Sequence, residues 1–154
     1  MRYFTLVCCL IMLPLVAFGA EDSLRGLEKF DIVIEDLDQD ARACGVTKSD
    51  LQREVELKLR LAGIPIDDES TTGLYVRLSV MVRNNSLCVY SLGVSVGQLA
   101  MLLGNGEIDI VVTWGERALG TVGQDLPGGW IKDSLRDMMD QFLIDYLEVN
   151  PRTR

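Results

Sequence analysis

The sequence predicts an α+β domain: a four-stranded, mainly antiparallel sheet with two helices packed on one face, in the order β-α-β-β-β-α. Three observations predict it. Two segments carry apolar residues at helical spacing, and four carry them at every second position. The last three strand-like segments follow one another across short stretches rich in Asn and Gly, as antiparallel neighbours do.

Ahead of this domain, Arg2 is followed by an apolar run from Tyr3 to Phe18 that only Thr5 and Pro14 interrupt. Ala17 and Gly19 then form an A-x-G cleavage site, with Ala20 offering a second cut one residue later. Residues 1–19 therefore read as a secretory signal peptide and residues 20–154 as one exported domain. A retained anchor is the alternative, although the run is shorter than the roughly 20 residues a spanning helix needs. Cys8 and Cys9 fall too early in the run to serve as a lipidation box. Loss of Arg2, the one charged residue of this segment, takes the net charge from −8 to −9. So acidic a domain lacks the basic footprint that nucleic acid or anionic lipid requires. No integral membrane span is expected after cleavage.

The first strand is expected from Phe30 to Leu37, where Phe30, Ile32 and Ile34 alternate with Asp31 and Glu35. An acidic turn follows. Thr47 and Asp50 form a capping box for a helix whose stripe is Leu51, Val55, Leu59 and Ala62, and Gly63 with Pro65 ends it. Leu74, Val76, Leu78, Val80 and Val82 then define the second strand, and Cys88, Tyr90, Leu92, Val94 and Val96 the third. Both sets are even-numbered, so a shared buried face requires Arg83 to pair with Leu87 and Val82 with Cys88 around a three-residue loop. Past Val96 the apolar positions turn odd, which a β-bulge near Gly97 or an exposed apolar edge would explain. Gly104–Gly106 turn the chain into a fourth strand marked by Ile108, Ile110, Val112 and Trp114. The closing helix is expected from Gly129 or Trp130, with Ile131, Leu135, Met138, Phe142 and Tyr146 inward, acids including Asp145 outward, and Pro151 beyond its end.

The chain contains no histidine, so histidine triads, general bases and metal sites are excluded. Cys44 and Cys88 remain after processing. They lack redox or zinc spacing and are read as a disulfide, with two buried thiols as the alternative. Asp36, Asp38 and Asp40 open like a calcium loop, but Ala41 and Thr47 stand where that loop needs Gly and Glu. Carboxylate pairs such as Asp67 with Asp68, Asp137 with Asp140 and Glu35 with Asp36 fall in loops or on a polar helix face. They read as solubilising charge, and no catalytic group or cofactor is assigned. Gly115, Gly120 and Gly123, between Trp114 and Trp130, read as bends or a packing site, with a ligand loop as the alternative. The second face of the central hairpin carries Tyr75, Arg77, Ser79, Met81 and Arg83 beside Ser91, Gly93, Ser95 and Gly97, with Thr113 on the next strand. It is either a plain solvated face or a docking surface, where Gly and Ser admit close approach and arginines supply donors.

The export signal, the element order and the closing Y-L-E-V-N-P of residues 146–151 resemble small bacterial periplasmic proteins. In topology the domain is similar to α+β envelope accessory modules such as the amino-terminal domain of TolB or the lipoprotein LptE. The resemblance implies an exported, non-catalytic binding or assembly protein of the cell envelope with an envelope protein as partner. Two further expectations stand beside it: a carrier holding an apolar ligand against Met138 and Met139, and an enzyme working through carboxylates alone.

Overall fold

The computed structural model describes residues 20–84, 87–123 and 127–151. A 3₁₀ turn (Ala20–Leu24) leads into β1 (Asp31–Ile34), α1 (Gln39–Ala43), α2 (Lys48–Leu61), β2 (Thr72–Arg83), β3 (Leu87–Met101), β4 (Ile108–Gly123) and α3 (Pro127–Val149). The four strands form one sheet in the order β1-β2-β3-β4. The sheet is mixed, because β1 runs parallel to β2 while β2–β3 and β3–β4 are antiparallel. This corrects the mainly antiparallel expectation. The two helices between β1 and β2 form a crossover long enough to return the chain to the same end of the sheet.

The acidic turn after β1 contains a short helix, α1, that no apolar periodicity in the sequence signals. Asp38 caps it by accepting the Ala41 N–H at 2.7 Å. Helix α2 has the expected capping box, with Thr47 and Asp50 accepting from each other's backbone N–H. It ends in a Schellman motif: Ile64 N–H donates to Leu59, Gly63 N–H donates to Arg60, and Gly63 has φ 65°.

The β2–β3 register is the expected one, with Arg83 opposite Leu87 and Val82 opposite Cys88. Asn84 takes the left-handed conformation at φ 51°. The rest of that loop, residues 85 and 86, lies outside the described residues, as do residues 1–19 with the expected signal peptide. No helix among the described residues is long and apolar enough to cross a membrane.

Strand β4 departs furthest from expectation. Val96 faces Trp114, but Gly97 faces Val112, so Thr113 is one extra residue on β4. The bulge lies on β4, and β3 continues its alternation to Met101 with Leu99 and Met101 exposed. Parity on β4 reverses across it. Trp114 points into the core at 4% exposure, while Ile108, Ile110 and Val112 face outward with Leu99 and Met101. The segment from Gly115 to Gly123 is a continuation of β4 and no bend or loop.

The core lies between the sheet and the helices. Leu51, Val55 and Leu59 of α2 and Ile131, Leu135, Met139 and Phe142 of α3 are fully buried against Leu74, Val76, Leu92, Val94 and Val96. Phe30, Trp114, Phe142 and Tyr146 form an aromatic cluster with edge-on contacts at 5.2–5.8 Å. Asp145 belongs to this side of α3 and not to its polar face. It is 9% exposed and accepts the Trp114 indole N–H at 2.8 Å and the Gln141 amide at 2.6 Å. The carboxylate thereby satisfies the one polar atom that the buried indole brings into the core.

Candidate functional site: the open face of the sheet

Since even-numbered residues of β2 and β3 point at the helices, odd-numbered ones lie on a face that no described helix covers. Tyr75, Arg77, Ser79, Met81, Arg83, Ser91, Gly93 and Ser95 all stand on it. Tyr75 faces Ser95, Arg77 faces Gly93, and Ser79 faces Ser91. The side chains of Arg77, Ser79, Met81, Arg83 and Ser91 are exposed.

Arg77 is already engaged. Its Nε donates to both carboxylate oxygens of Glu35 at 2.8 Å, and Nη2 approaches Oε1 at 2.6 Å. The guanidinium holds the Glu35 carboxyl below the ordinary glutamate range. Arg117, in a segment whose glycines suggest bends or a packing site, lies across Gly93 from Arg77. Its Cγ is 3.7 Å from where a Gly93 Cβ would stand, and it makes no ion pair among the described residues. The signal available in the sequence was the alternation of Glu116, Ala118 and Val122 with Arg117, Leu119 and Thr121, which the intervening glycines obscured.

Around Gly93 the face forms a shallow trough of about 810 Å³, with Arg77 and Arg117 on its flanks and Ser91 and Ser95 along its floor. Gly97 offers no opening to a partner. A Cβ there would stand 2.8 Å from the Tyr75 ring, which lies across both Gly73 and Gly97. Thr113 is likewise occupied. Its hydroxyl accepts from Gln98 Nε2 at 2.8 Å, its carbonyl accepts from Ser23 Oγ at 2.7 Å, and the Gln98 amide also reaches the Ser23 carbonyl at 3.0 Å. These bonds tie the 3₁₀ turn to the bulge.

Cys44 and Cys88 form a disulfide with Cα atoms 6.2 Å apart, joining the end of α1 to β3, and both are fully buried. The acids singled out in the sequence are distributed rather than gathered. Asp36 pairs with Lys48 at 2.9 Å, Asp38 caps α1, and Asp40 accepts the Val82 N–H at 3.1 Å. Asp67 pairs with Lys29, and Asp140 with Lys58. Hydrogen bonds from lysine hold Asp36 and Asp67 below the ordinary aspartate range. Met138 and Met139, 7% and 0% exposed, pack as part of the core.

No protein-family model and no curated protein matches the chain. Among solved structures, the chain is similar to a minor lipoprotein from Acinetobacter baumannii, at 12% identity and a TM-score of 0.39, over 82% of this chain and 96% of that one. It is also similar to a protein from Caulobacter crescentus CB15 provisionally classed as a lipoprotein, at 11% identity and a TM-score of 0.37, over 88% of this chain and 99% of that one.

Proposed function

We propose that the chain is an exported, non-catalytic binding or assembly protein of the bacterial cell envelope that presents the open face of its sheet to an envelope protein. The observation that carries this reading is the trough around Gly93. A glycine floor, serine hydroxyls and Arg117, which makes no ion pair among the described residues, stand together on a sheet face that no described helix covers. Gly93 admits close approach of another chain, and Arg117 supplies charge-assisted donors in an acidic protein. Absence of histidine and the ion-paired state of Glu35, Asp36 and Asp67 support a non-catalytic role. A general acid needs a carboxyl whose pKa is raised, and these three are lowered.

Affinity capture from envelope extract tests the reading. Arg77→Glu combined with Ser95→Leu should abolish co-purification of the partner that the wild-type chain retains. An unchanged set of partners would remove the claim of this face.

A further inference from the structure

We infer that the apolar end of the open face is a self-association surface on which a second copy of this chain docks face to face. The bulge at Thr113 creates this surface. By reversing the parity of β4 it sets Ile108, Ile110 and Val112 on the same face as Leu99 and Met101, in the pairs Leu99–Ile110 and Met101–Ile108. Their exposures are 67%, 53%, 66%, 52% and 64% in that order, while the Tyr75 ring borders the patch above Gly97. Without the extra residue, the three β4 side chains would point toward the helical side.

Three observations choose the occupant. The first is area. Five aliphatic side chains exposed by half to two thirds leave roughly 100 Å² each, so a two-fold pair covers on the order of 1,000 Å², the floor for a specific interface. The second is charge. None of the five carries any, so two copies can stack without opposing like charges although the whole chain is strongly acidic. The same composition disfavours a bilayer: residues 99–112 contain Glu107 and Asp109 and no Lys or Arg. The third is geometry. Strand β2 reaches β3 only as far as the Thr72–Gln98 pair, so Leu99–Met101 and Ile108–Ile110 form a two-stranded arm beyond it. A two-fold axis near the Leu99–Ile110 pair lays arm on arm, with the helices on the outside. Edge pairing is the less suitable mode, because the Asp109 carboxylate caps the Ile110 N–H at 2.7 Å and the bulge interrupts the edge at Thr113.

Sedimentation equilibrium of the chain recovered after export, from about 1 μM to about 500 μM, reads the association directly. A reversible monomer–dimer equilibrium is expected, strengthened by salt because screening relieves the repulsion between two acidic copies. Ile110→Asp should raise the dimer Kd by more than about tenfold, and Leu99→Ser by a smaller factor should the aspartate perturb folding. Leu119→Asp, on the same strand and face but outside the patch, should leave the Kd unchanged. A monomer at every concentration, equal weakening by Leu119→Asp, or a monomer that instead floats with phosphatidylethanolamine–phosphatidylglycerol vesicles would overturn the inference. It rests on the reading of this face as an interaction surface, yet the two fail separately. A strict monomer whose partner capture still depends on Arg77 and Ser95 sinks only the second copy.

Discussion

Glycines that look equivalent in the sequence meet different neighbours in the fold. Gly120 faces Tyr90 across the β3–β4 pair, and a Cβ there would stand 2.5 Å from the phenol ring. That ring is 8% exposed and shares a hydrogen bond with Ser134 at 2.8 Å, so it has little room to move. Gly120→Ala should therefore destabilise the domain by about 1–3 kcal/mol, as overpacking does. Gly93→Ala meets only an ordinary contact at 3.7 Å and should shift stability by less than about 0.5 kcal/mol. Urea unfolding of both variants checks the contrast, and equal losses would contradict it. The sequence offers a packing site among Gly115, Gly120 and Gly123 and an open position at Gly93, but not the neighbour that each meets, because that depends on which side chain stands across the strand pair. The positive φ at Gly63 was legible, since a glycine directly after a periodic apolar stripe has one common local use.

Helix α2 shows how far local chemistry reaches. Its cap, stripe and stop all lie within twenty residues, so its bounds follow from the sequence alone. Its attachment to α3 does not. Arg136 donates Nε and Nη2 to the two oxygens of Glu54 at 2.8 and 2.6 Å, across 82 positions of chain. The guanidinium holds the Glu54 carboxyl below the ordinary glutamate range in the folded state. A lowered folded-state pKa contributes stability above the unfolded-state value and loses it as pH falls through the folded one. Glu54→Gln should therefore be less stable than wild type at pH 7, by no more than about 1 kcal/mol since Arg136 is partly exposed. That difference should vanish as pH falls below the glutamate range, and denaturant midpoints across pH measure it. A difference that persists or grows in acid would refute the assignment. The bulge is the element-scale counterpart. The odd positions of Leu99 and Met101 marked an exposed apolar edge on an unbroken β3, whereas the extra residue is Thr113 on the facing strand, where Gln98 and Ser23 hold it and the even-numbered set Ile108, Ile110, Val112 and Trp114 hides it.

At the scale of the whole molecule, the parallel placement of β1 depends on the crossover through α1 and α2, and on what fastens that crossover to the sheet. Two tertiary ties do so near α1. Asp40 accepts the Val82 N–H, and the Cys44–Cys88 disulfide joins the helix end to β3. The bridge spans a sequence separation of 44, so it removes substantial freedom from the unfolded chain. Both sulfurs are fully buried in the folded state, which leaves reductant access mainly to opened molecules. Substituting both cysteines by alanine should lower unfolding stability by about 2–4 kcal/mol. Wild-type protein unfolded in the presence of dithiothreitol should show a loss of the same order, whereas the double variant should be indifferent to reductant. The α2 cap gives a scale for that loss: Thr47→Ala should cost about 1 kcal/mol in the bridged protein. If reduction left the wild-type midpoint unmoved, the crossover would be held by packing and the Asp40–Val82 bond, and the disulfide would have no part in fixing β1 beside β2.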